Sequence, residues 1–135
     1  MKLLKEMYNL SYDSSGFNSG LTIWYNRVID KTYDCLTTAD VCKMIRQDIL
    51  KNIAIRKGIE IFLSNPYDGE HNDGELLDIL SSLDICSLGA QYIDKLKIVL
   101  NNIKYNYVNF EWLDEETKRQ YAKSIDKMLK SLESM

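Results

Sequence analysis

Apolar residues recur at intervals of three and four along most of this chain, the spacing that lines one face of an α-helix. Leu76, Leu77, Leu80 and Leu83 form one stripe, and Ile93, Leu96, Leu100 and Ile103 form another. A third runs through Tyr121, Ile125, Met128, Leu129 and Leu132, behind Asp114 as its N-cap. Upstream, Val41, Met44, Ile45 and Ile49 follow Thr37 and Thr38, either of which can cap a helix through its hydroxyl. Between these lies the run with the widest apolar face, in which Ile53, Ala54 and Ile61 broaden the stripe of Ile55, Ile59, Phe62 and Leu63. Asn65-Pro66 ends it, because the residue before a proline is pushed out of the α region.

These stripes predict an all-α fold, one compact domain of five or six helices spanning residues 1–135. The chain is long enough for a single core burying roughly two-thirds of the unfolded surface. Residues 11–20, "SYDSSGFNSG", read as a loop, and the β-branched residues of "LTIWYNRVIDKTYDCL" weaken the helix expected after it. In "KYNYVNFEWL" Val108, Phe110 and Trp112 alternate as in a strand, yet the segment could equally prolong the preceding helix. Neither the N-terminal "MKLLKEMYNL" nor any later stretch has the apolar run of a signal peptide or a membrane span. Three cysteines, Cys35, Cys42 and Cys86, form no CxxC pair and read as buried, reduced thiols.

The net charge of −3 is unevenly spread. Between Lys57 and Lys95 there is no lysine or arginine, and eight carboxylates give that interval a local charge of −8. The rest holds all 17 Lys and Arg against 12 acids. Such asymmetry speaks to partners rather than to fold. Its centre is "NPYDGEHNDGELLDIL", Asn65 to Leu80, with the only proline, the only histidine and five acids.

Catalytic and metal chemistry fit that stretch poorly. Counted as a calcium loop from Asp68, it offers Asp68, Glu70 and Asn72, but the sixth position is Asp73 where glycine is needed. The twelfth is Ile79, where a bidentate glutamate is needed. One histidine, His71, is too few for zinc, and neither a nucleophile elbow nor a phosphate-binding glycine loop is present. No catalytic residue, metal or cofactor is expected. The helix-cap reading explains more: Asp73 at the N-cap, Gly74 for a tight turn, and Glu75 against the positive end of the dipole. Asp68, Glu70 and Asp78 are then left for a partner. Nucleic acid is not that partner, because Glu111, Asp114, Glu115 and Glu116 interrupt the basic C-terminal region and the isoelectric point is near 5.2.

The run from Leu36 to Asp84 resembles bacterial contact-dependent growth inhibition immunity proteins. The matching positions are Leu36, Thr38, Asp40, Ile45, Arg46 and Gln47, then Pro66 and Gly69, then Asp73, Gly74, Glu75, Leu76 and Leu77. The resemblance implies a cytoplasmic protein, a monomer that binds one cognate toxin domain in a 1:1 complex. The toxin would be the C-terminal part of a large surface-exposed protein, and many such domains are nucleases. An interval without Lys or Arg suits the basic cleft of a nuclease. Tyr67, Asp68, Glu70, Glu75 and Asp78 are the expected interface, with Tyr67, Trp24 or Trp112 as aromatic anchors. The alternative is a small helical adaptor that binds some other intracellular protein.

Overall fold

A computed structural model describes residues 2–13, 20–84 and 90–133. Among them are seven α-helices and no strand: α1 (Leu4–Met7), α2 (Gly20–Val28), α3 (Thr38–Arg46), α4 (Lys51–Ser64), α5 (Glu75–Ser81), α6 (Ile93–Asn106) and α7 (Glu115–Glu133). The all-α expectation holds, with one helix more than expected because the single turn α1 has no stripe to announce it. Most of the expected loop, residues 14–19, lies outside the described residues, as does Cys86. Ser11 to Asp13 are irregular and Gly20 already opens α2.

The stripes form one core. Leu76, Leu77 and Leu80 of α5, Leu96, Leu100 and Ile103 of α6, and Tyr121, Ile125, Met128, Leu129 and Leu132 of α7 are all buried. From α4 come Ala54, Ile55, Ile59 and Phe62. The main pairings are α3 with α4, α5 with α7, and α6 with α7. Gly58 lets α4 approach its neighbours closely: a Cβ there would lie 3.2 Å from Val41 Cγ1 and 3.4 Å from Leu80 Cδ2.

Thr37 begins α3 with a capping box. Its side chain accepts from the Asp40 amide at 3.1 Å, and Asp40 Oδ2 accepts from the Thr37 amide at 3.1 Å. Asp40 also receives Lys31 Nζ at 2.5 Å and Trp24 Nε1 at 3.3 Å, which ties α2 and the following turn to α3. Burial pushes this carboxyl up, but the hydrogen bonds from Lys31, Thr37 and Trp24 outweigh burial and hold it below the usual range. Trp24 is thereby engaged inside the protein.

Ile49 falls outside α3, whose last residue is Arg46. Asp48 and Leu50 adopt left-handed backbone, with φ of 55° and 46°, and reverse the chain so that α4 folds back on α3. In "KYNYVNFEWL", α6 continues to Asn106, a 3-10 turn spans Tyr107–Asn109, and the chain then leaves in extended form at Phe110. Cys42 is buried, whereas Cys35 is exposed in a 3-10 turn, contrary to the expectation for all three thiols.

Replacing Gly58 with leucine should cost about 1–3 kcal/mol by overpacking the meeting of α3, α4 and α5. Urea denaturation of the purified variant measures it, and an unchanged midpoint would show that the three helices are not in close contact there.

Candidate functional site

The chain from Asn65 to Gly74 is a folded loop rather than a loose connection. The Asp68 amide donates to Asn65 O at 3.2 Å, the Gly74 amide to Tyr67 O at 2.6 Å, and the Leu76 amide to Asp68 O at 3.1 Å. Both glycines in it are required by space. A Cβ on Gly69 would lie 2.0 Å from Asn72 O. Gly74 has φ of +77°, and a Cβ there would meet Tyr121 Cδ1 at 2.3 Å.

Beneath the loop is an aromatic cluster. Tyr67 stacks on Phe110 with centroids 4.2 Å apart and lies 5.5 Å from Tyr121, while Trp112 packs 4.9 Å from Tyr121. Tyr121 is fully buried and its hydroxyl donates to Pro66 O at 2.6 Å. Trp112 Nε1 donates to Tyr107 O at 2.7 Å. The expected anchors Tyr67 and Trp112 therefore serve first as the floor of the loop. The alternation of Phe110 and Trp112 marks this cluster, not a strand.

The acids of the stretch divide by what they hold. Asp73 is not the cap of α5, as the sequence suggested: Gly74 occupies that position, no side chain closes it, and Asp73 is exposed. Glu75 performs a related task from inside the helix, its Oε1 accepting the amides of Glu70 at 2.8 Å and His71 at 3.0 Å. Its other oxygen accepts from Arg46 Nη2 at 3.1 Å. Glu70 Oε1 pairs with Arg46 Nη1 at 3.5 Å and with His71 Nε2 at 2.6 Å. Asp68 accepts from Thr38 Oγ1 at 2.5 Å and from the Gly69 amide at 2.9 Å. Asp78 accepts from Ser124 Oγ at 2.6 Å across the α5–α7 contact. Asp68, Glu70 and Asp78 thus have intramolecular partners that sequence spacing could not reveal, since Thr38, Arg46 and Ser124 are remote in the chain.

What the fold leaves open is a cavity of about 340 Å³ between the loop, α5 and the start of α7. Glu75, Asp78, Asp114 and Glu116 line it, with Asn72, Thr117 and Gln120 between them, and no basic side chain among them. A smaller cavity of about 220 Å³ adjoins it through Asn72 and Thr117, lined also by Glu70, His71, Asp73 and Leu113. Asp68 faces another cavity, with Lys57 and Glu60. The five expected interface residues therefore do not form one patch. Glu75 and Asp78 line the larger cavity, Glu70 the smaller, Asp68 lies elsewhere and Tyr67 lies underneath.

Asp114 and Glu116 are new members. In the sequence they only interrupt a basic region, and the contact of α5 with α7 is what brings them to Glu75 and Asp78. The Thr117 amide, donating to Asp114 Oδ1 at 2.7 Å, holds that carboxyl below the usual range, so it stays charged. Asp78 shifts the other way: burial raises it, against the Ser124 hydrogen bond, and the nearby Glu75 charge adds to the rise. Among the described residues no group of His, Cys, Asp and Glu is arranged to hold a metal ion, and no helix is long and apolar enough to cross a membrane.

A loop of this form, closed by Gly69 and Gly74 and tied to α3 through Thr38 and Arg46, uses the positions on which the sequence resemblance rested. The family model for CDI immunity proteins matches residues 6–98, from α1 into α6. The chain belongs to the CDI immunity protein family. It is accordingly a toxin-neutralising immunity protein, whose partner is a cognate CDI toxin. No curated protein sequence matches it. The matched region of the immunity protein includes the whole acidic loop and α5, while Leu113, Asp114 and Glu116 lie beyond it.

Replacing Asp78 with asparagine should preserve acceptance of the Ser124 hydrogen bond while removing a carboxylate that is costly to ionise in the fold. A carboxyl raised on folding contributes stability that is present below its unfolded value and lost as pH rises through its folded one. The variant should therefore gain on the natural protein in paired urea denaturations as pH rises above the ordinary carboxylate value of 3.8. A stability difference that does not change with pH would contradict this.

Proposed function

We propose that the immunity protein acts without catalysis, as a single domain and a monomer in a tight 1:1 complex with the toxin domain in the cytoplasm. In this reading the face around the acidic cavity meets a basic cleft on the toxin, of the kind a nuclease uses to hold its nucleic-acid substrate. The observation that carries it is the cavity in which Glu75, Asp78, Asp114 and Glu116 converge without a cation in the lining. Carboxylates placed this way speed encounter with a basic surface and penalise partners of the wrong charge. Arg46 supports the same reading. It pairs with Glu70 and Glu75 and so orients the loop, but it is absent from the cavity lining and, among the described residues, does not pair with Asp78, Asp114 or Glu116.

The division of the acids decides which variants test the proposal. Reversing Asp68 or Glu75 would also disturb the loop's own hydrogen bonds. Asp73 and Glu116 are exposed and line the two cavities. The Asp73→Lys/Glu116→Lys protein should keep its helical circular dichroism yet associate with the toxin domain about tenfold more slowly at low salt, with a flatter salt dependence. An unchanged association rate with full neutralisation of the toxin would place the contact on another surface.

A further inference from the structure

Leu113 is 89% exposed, more than any other large apolar residue described. A lone surface leucine needs no explanation, but three features set this one apart. It borders the smaller cavity, between the loop carrying Glu70 and Asp73 and the start of α7 carrying Asp114 and Glu116. Its backbone is also held on both sides. The preceding Trp112 donates through Nε1 to Tyr107 O at 2.7 Å and through its amide to Phe110 O at 3.0 Å, and the following Asp114 accepts the Thr117 amide at 2.7 Å. Finally, it lies beyond the residues matched by the family, 6–98, beside Asp114.

We propose that Leu113 is the apolar anchor by which this immunity protein selects its own toxin, inserting into an apolar depression edged by lysine or arginine side chains. The inference rests on the acidic face being the toxin-binding face. A segment already held by its neighbours loses little backbone freedom when it is buried in an interface, so more of the leucine's burial is expressed as affinity. Carboxylates around it lose water as the contact closes, which is tolerable only opposite cations, and this fixes the chemistry of the occupant. A second copy of the chain is a poor occupant, because a two-fold contact would set the same ring of carboxylates against itself. Anchor and ring have separate tasks: the ring accelerates encounter, and the anchor retains the partner that fits.

Kinetics with the purified toxin domain distinguish the two. The Leu113→Ala protein should have the same melting temperature and nearly the same association rate and salt dependence. Its dissociation should be about tenfold or more faster. If Leu113→Ala binds within about twofold of the natural protein while Asp73→Lys/Glu116→Lys is impaired, the acidic face stands and the anchor is wrong. If neither substitution alters binding, both fall together.

Discussion

A hydrogen bond from a buried ring, alongside that of Ser124 to Asp78, joins the two halves of the acidic face. The Tyr121 hydroxyl, on a fully buried ring in α7, donates to the carbonyl of Pro66 at 2.6 Å. A hydroxyl left unpaired at that depth would cost several kcal/mol, so the loop after Pro66 must lie against α7. That requirement explains the neighbouring sequence. Gly74 faces the Tyr121 ring because nothing larger fits, and Tyr67, Phe110 and Trp112 fill the space around it. With α7 fixed to the loop, Asp114 and Glu116 come beside Glu75 and Asp78. The charge of the face thus follows from an uncharged contact below it.

Structural and exposed carboxylates are interleaved along the loop, so their roles cannot be separated by position in the chain. Glu75 gathers the amides of Glu70 and His71 and receives Arg46 as well, while still contributing to the cavity lining. Asp73, two residues earlier, is exposed. Arg46 reduces repulsion within the loop and answers Glu75, while Asp114 and Glu116 on the other side of the cavity are not among its partners. The face can therefore carry several like charges and still be rigid, which is what rapid, selective recognition of a cationic partner requires.

The helices were legible because each stripe repeats at three and four residues and needs no tertiary information. Pro66 as a stop and Thr37 as a cap were legible for the same reason: both act within one turn of backbone. The joint at Asp48 and Leu50 was not, since left-handed backbone at ordinary residues is imposed by the packing of α3 on α4. Asp73 reads as a cap because the local pattern is correct for one, but the close approach of Tyr121 gives that position to Gly74. The importance of the acidic stretch could be read from its charge. Its partition could not, because Thr38, Arg46 and Ser124, which engage Asp68, Glu70, Glu75 and Asp78, are distant in sequence. Asp114 and Glu116 were hidden by the same distance.

Hydrogen exchange of the immunity protein, alone and bound to its cognate toxin domain, addresses the central claim most directly. The account predicts that binding slows exchange in residues 69–78 together with 110–120, two segments joined only by the fold, and leaves α2 unaffected. Protection confined to α2 or to the outer face of α6, with both acidic segments unchanged, would contradict it.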